Sequence, residues 1–131
     1  MQVVSIYAAL LGLLFIALSV RTLRMRRKLG IAVGDAGNET MLRAMRVHSN
    51  FAEYVPLSLL LIYFVEASGA SPLFVHVLGA SVVVGRVSHA FGVSQVRERF
   101  VFRVVGMALT LTPLGFAALW LVQVFVNSRI G

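Results

Sequence analysis

The chain has 131 residues, of which 59% are apolar and 13% charged, with a mean hydropathy of +0.89. A water-soluble domain carries about a quarter of its residues as charges, so a cytosolic enzyme, a disordered tail and a secreted mini-protein are excluded. With no cysteine there is no disulfide framework, CxxC redox pair or thiolate metal site, and a net charge of +7 in so apolar a chain reads as membrane topology rather than nucleic-acid binding.

These quantities predict an all-α integral membrane four-helix bundle, a single domain over residues 1–131 with spans at about 3–20, 44–67, 72–92 and 100–126. Each span meets the roughly 20 apolar residues that a bilayer core of about 30 Å requires. The first is stopped by Arg21, Arg24, Arg26, Arg27 and Lys28. This basic cluster follows the apolar run, which disfavours a cleaved signal peptide, and RMRRK reads as a stop-transfer flank rather than a nucleic-acid patch. A glycine- and Asx-rich loop follows, with Asn38 as helix N-cap and Glu39 in the first turn. The second helix starts near Met41, becomes strongly apolar at Phe51 and ends near Ala67. Ser68 to Pro72 reads as a tight turn whose proline opens the third helix. In that helix, Ser81 and Gly85 are spaced for a close helix contact. The fourth helix carries Pro113, expected to kink it, and Trp120 near an interface. Continuous rather than alternating apolar runs exclude a β-barrel.

Orientation follows from the Lys and Arg around the spans. The connection from Arg21 to Arg46 carries seven, and that from Ser94 to Arg103 carries Arg97, Arg99 and Arg103. The connection between the second and third spans has none, and the C-terminal tail has only Arg129. The positive-inside rule makes the basic connections cytoplasmic and puts both termini on the non-cytoplasmic side.

The informative residues are polar ones inside or beside the spans. Arg43, Arg46, Asn50 and Glu53 are spaced by 3, 4 and 3, which puts them on one stripe of the second helix. An unpaired charge deep in a span costs about 2.5–3.5 kcal/mol on insertion scales. Glu53 should therefore face protein, water or a ligand, and an ion pair with Arg46 or with another helix's arginine is the structural alternative. Arg86 and His89 share a face of the third helix, and Arg86 has interfacial snorkelling as its bland alternative. Topology alone gathers arginines from all four helices at one depth, an arrangement suited to an anionic ligand held between helices. His48 points about 160° away from the Asn50 stripe and is left out; His76 reads as a packing or interfacial histidine.

The segment Arg43-Ala-Met-Arg46-Val-His-Ser-Asn50-Phe-Ala-Glu53-Tyr-Val-Pro56, followed by Gly85-Arg86-Val-Ser-His89, resembles the MAPEG family (membrane-associated proteins in eicosanoid and glutathione metabolism), and in length its short bacterial members. The resemblance implies a homotrimer in a bacterial inner membrane, binding glutathione between neighbouring subunits near the cytoplasmic face. It implies Arg24, Arg46, Asn50, Glu53, Arg86 and His89 as glutathione ligands and Arg103 as the catalytic residue near the thiol. Arg21 is an acceptable alternative to Arg24. The implied activity is a glutathione-dependent transferase or peroxidase acting on small hydrophobic electrophiles or lipid hydroperoxides, with no metal and no nucleic acid. The chain departs from the family's eicosanoid-forming members at Val93, where they carry an aromatic hydroxyl, at Ser49, often a second arginine, and at Val104, a serine in prostaglandin E synthase-like members. These departures argue against a specific eicosanoid activity.

Three rival readings have their own signatures. A non-catalytic trimer would bind glutathione or lipid without turnover. A small proton-coupled exporter would use Glu53 as its coupling carboxylate, although the surrounding arginines oppose cationic cargo. A haem-binding bundle would use His48 and His89, which lie at similar depth.

Overall fold

A computed structural model describes every residue except Met1, Val96, Glu98 and Gly131. The described residues form four α-helices and no strand: α1 Val4–Leu29, α2 Glu39–Ala67, α3 Pro72–Ser94 and α4 Phe100–Ile130. All four are long and apolar enough to cross a membrane.

The helices outrun the apolar spans. α1 continues through the whole basic cluster to Leu29, because Arg and Lys are good helix formers: their charge stops insertion but not the helix. Gly30 ends it in the left-handed region at φ 66°, with its N–H directed to the carbonyls of Arg26 and Arg27, a conformation glycine adopts without steric penalty. Arg26 then pins the loop, donating from Nη1 to the carbonyls of Ala32 at 3.3 Å and Gly34 at 3.0 Å. α2 begins at Glu39 as the capping pattern predicts; the Asn38 side chain accepts from the Met41 N–H at 2.9 Å. α3 begins at Pro72 behind Ser71, whose hydroxyl accepts from the Phe74 N–H at 3.3 Å. α4 remains helical on both sides of Pro113; lacking an N–H, the proline leaves the Leu109 carbonyl without its helical donor.

Inside a bilayer, apolar surface gains nothing by facing another helix instead of lipid, so close packing and polar contacts decide the arrangement. The tightest crossing joins α3 and α4 at Gly85 and Gly106. A Cβ on Gly106 would stand 2.5 Å from the His89 backbone nitrogen, and one on Gly85 would stand 2.9 Å from the Gly106 carbonyl oxygen. Only glycine at both positions permits this backbone approach.

Each end of the bundle is clasped by polar contacts. At one end the Glu66 carboxylate accepts from the backbone N–H groups of Val3 at 2.5 Å and Val4 at 2.9 Å. It thus caps α1, whose N-terminal partial positive charge favours an anion. Nearby, the Tyr7 hydroxyl meets His76 Nδ1 at 2.7 Å, in keeping with the packing role expected of His76. The Tyr7 ring occupies the space a side chain on Gly79 would take. Trp120 Nε1 donates to the Ser68 hydroxyl at 3.0 Å. At the opposite, basic end, Arg21 Nη1 donates to the Ser94 hydroxyl at 2.6 Å, and Arg43 Nη1 to the Val93 carbonyl at 3.4 Å. The start of α1 and the later part of α4 therefore lie together, away from the basic loop.

Gly106→Ala should force α3 and α4 apart and lower stability by about 1–3 kcal/mol. Gly115→Ala in the same helix, with nothing within 4 Å of the added Cβ, should be neutral or stabilising by up to about 1 kcal/mol. Glu66→Ala removes the α1 cap and should cost about 0.5–2 kcal/mol. Thermal melts in detergent compare all three with the parent chain.

Candidate functional site: a cationic cleft at the basic end

A cleft of about 500 Å³ opens at the basic end among α2, α3 and the start of α4. The stripe on α2 supplies Arg43, Arg46, Asn50 and Glu53, joined by Glu39, Leu42 and Ser49. α3 contributes His89 and Val93, and α4 contributes Arg103. The 3, 4, 3 spacing thus does what helical periodicity requires and turns four polar side chains toward one opening. His89 is buried, Asn50 is half-buried, and Arg46, Glu53 and Arg103 are exposed.

The charges in the cleft are unevenly satisfied. Arg43 pairs with Glu39 one turn earlier at 2.9 Å, a contact worth only a few tenths of a kcal/mol when exposed. Arg46 and Glu53 form no ion pair among the described residues. The structural alternative for Glu53, a pair with Arg46 or another helix's arginine, is therefore not made among the described residues. Pro56, three residues beyond Glu53, has no N–H and so leaves the Ala52 carbonyl without a helical donor beside the site.

Two sequence-predicted site residues lie elsewhere. Arg86 does not line the cleft; it is 1% exposed and sits behind Asn50. Its Nη1 donates to Asn50 Oδ1 at 2.8 Å, its Nε to Thr110 Oγ1 at 3.0 Å and its Nη2 to Met107 Sδ at 3.4 Å. The guanidinium carbon also stands 5.6 Å from the centre of the Tyr54 ring, within the range of a cation–π contact. Thr110 can receive Nε because its own hydroxyl proton goes to the Gly106 carbonyl at 2.8 Å. Arg24 lies on another face of α1, in a groove with Leu13, Ile16, Val20, Arg21 and Lys28, and is not brought to its own chain's cleft. The remaining predicted residues, Arg46, Asn50, Glu53, His89 and Arg103, are brought together.

His48 faces away from the cleft, as its helical angle requires. Its Nε2 meets the Ser19 hydroxyl at 3.0 Å and its ring stacks on Phe15 with centroids 4.9 Å apart. It shares no site with His89, which removes the geometric basis of the two-histidine haem reading. Conversely, Glu39 and Arg43 are cleft residues absent from the predicted ligand set. Their signal was present: Arg43 opens the stripe, and Glu39 precedes it by four residues. Ser49 and Val93, two of the departures from the family pattern, also line the cleft.

Comparison with known proteins agrees with this architecture. The chain matches the MAPEG family over residues 4–123. It is 34% identical over 122 residues to the inner membrane protein YecN of Escherichia coli K12, an alignment covering 91% of this chain and 92% of that protein. The protein of the same name from Escherichia coli O6:H1 matches to the same extent. Four apolar helices and this kinship make the chain a multi-pass integral membrane protein, and the chain belongs to the MAPEG family.

Proposed function

We propose that the cleft binds glutathione and that the protein is a membrane glutathione transferase or peroxidase for small hydrophobic electrophiles or lipid hydroperoxides. The observation that carries this reading is the charge inventory of one cleft: the guanidinium groups of Arg43, Arg46 and Arg103 with the carboxylates of Glu39 and Glu53, Arg43 being paired with Glu39. Glutathione has two carboxylates and one ammonium, so a cleft with guanidinium groups in excess and the Glu53 carboxylate suits both signs of its charge. Arg46 would take carboxylate oxygens through charge-assisted, planar contacts. Glu53, without an ion pair among the described residues, would take the ammonium. Asn50 and His89 add polar contacts on the α2 and α3 walls.

Glutathione supplies a thiol, which this cysteine-free chain lacks. A thiol with a pKa near 8.5 is mostly un-ionised at neutral pH, and neighbouring positive charge favours the thiolate. Arg103 has the role of holding that negative charge. It is flanked on α4 by exposed Val101, Phe102, Val104 and Val105, so its end of the cleft adjoins the hydrocarbon from which an apolar substrate would enter. In this reading the basic connections are cytoplasmic, both termini are on the other side, and a homotrimer brings Arg24 of a neighbouring copy to each cleft. A second reading, glutathione binding without turnover, is favoured by Val93: the cleft wall there is aliphatic, with no hydroxyl to assist the sulfur.

Calorimetric titration of the detergent-solubilised protein with glutathione should show saturable binding. Glu53→Gln should weaken it about 10–100-fold, the range of a lost charge-assisted hydrogen bond; unchanged affinity removes Glu53 from the site. Arg103→Ala should lower kcat/KM for a chloronitrobenzene about 100-fold while changing glutathione affinity by no more than about threefold. Equal loss of both removes the thiolate role, and binding without turnover by the parent chain establishes the second reading.

A further inference from the structure

Arg86, expected as a ligand, stands behind Asn50 and donates to it, and the chemistry of the pair fixes something the cleft alone does not. Asn50 lines the cleft, and its Oδ1 accepts from Arg86 Nη1 at 2.8 Å. A guanidinium has donors and no acceptor. The reversed amide would set an NH2 against an N–H and place two positive dipole ends in contact. Oxygen therefore faces Arg86, and Nδ2 points the other way. Among the described residues no hydrogen bond engages Nδ2, and no buried side-chain nitrogen or oxygen lacks a partner. Nδ2 is thus open to the cleft rather than sealed behind it.

We infer that Arg86 is a positioning residue that locks the Asn50 amide so that the cleft presents a hydrogen-bond donor there, selecting a ligand with a carbonyl or carboxylate oxygen at that point. Arg86 cannot readily release its hold. It is 1% exposed, with Nε on Thr110 and Nη2 on Met107 of α4. Rotating the Asn50 amide would leave a buried cationic donor without its acceptor, the expensive half of a broken charged contact. The consequence extends along α2. Arg46 and Asn50 offer donors on this stripe and the Glu53 carboxylate accepts, while Arg43 is engaged by Glu39 and the Val93 carbonyl. A bound molecule must then direct oxygens at Arg46 and Asn50 and a donor at Glu53, and an amide N–H or ammonium opposite Asn50 is rejected. Applied to glutathione, which rests on the function proposed above, a peptide carbonyl or carboxylate oxygen takes the Asn50 position.

The test combines glutathione titration with thermal melting of the detergent-solubilised protein and its Asn50→Ala, Asn50→Asp, Arg86→Met and double Asn50→Ala/Arg86→Met variants. Arg86→Met should weaken binding about tenfold in the parent background and less than about twofold in the Asn50→Ala background, where no amide remains to orient. Equal losses in both backgrounds would reduce Arg86 to a structural role and overturn the inference. Asn50→Asp covers the case in which Arg86→Met does not fold. It keeps an oxygen for Arg86 while replacing the cleft-facing donor by an acceptor. It should melt at or above the parent temperature yet bind glutathione at least about tenfold more weakly. Parent-like binding by Asn50→Asp would refute the donor assignment. If the parent chain itself binds no glutathione, the proposed ligand falls, and melting alone decides the clamp: Asn50→Asp above Asn50→Ala supports it, and the reverse order defeats it.

Discussion

A guanidinium enclosed among membrane-spanning helices has to find its hydrogen-bond partners inside the protein, because neither water nor lipid can supply them. Arg86 meets that constraint by drawing on two other helices at once: Asn50 and Tyr54 from α2, and Thr110 and Met107 from α4. The contact with Thr110 depends on the crossing of α3 and α4, where Gly85, the residue before Arg86, meets the Gly106 backbone. A bulkier residue at either glycine would separate the helices and withdraw Thr110 from Nε. The small-residue contact and the buried charge are thus one arrangement, and three helices are referred to each other through a single side chain. α1 is attached by other means, through Glu66 and Tyr7 near its start and through Phe15, Ser19 and Arg21 farther along.

Two carboxylates of α2, Glu53 at its middle and Glu66 near its end, show how differently the same group can be used. Glu66 spends its charge on two backbone N–H groups at the start of α1, where the helix dipole also favours it. Its role is complete within the chain. Glu53 faces an opening together with Arg46, and neither is in an ion pair among the described residues. An ionisable residue within a membrane-spanning segment is by default a functional candidate, and opposite charges lining one cleft with no ion pair among the described residues give that function a specific form. They match a small molecule that itself carries both signs.

Much of this was legible in the sequence. Four helices, the Asn38 cap and the proline start of α3 follow from hydropathy and local backbone chemistry, which act over a few residues. The α2 stripe follows from 100° per residue, and it correctly separated Asn50 and Glu53 from His48. What periodicity cannot give is how deep a helix face lies behind its neighbour. Arg86 and His89 share a face of α3 and were expected to share a role, yet His89 reaches the cleft while Arg86 is screened by Asn50. The difference arises from the packing of α2 and α4 against α3, information distributed over three separate segments. The same holds for Glu66 and Tyr7, whose partners lie more than sixty residues away in sequence. Arg24 illustrates another kind of boundary: on its own chain it belongs to a different groove, so any role at the cleft requires a second copy.

The near-touching glycines have a mechanical corollary. Where two backbones meet with no side chain between them, there is no rotamer to give way, so α3 and α4 behave as one stiff plate carrying His89, Val93 and Arg103. The opposing wall, α2, is joined to that plate by the longer side-chain tethers of Arg86 and Arg43. A guest in the cleft therefore meets one wall held by direct backbone contact and another held through side chains.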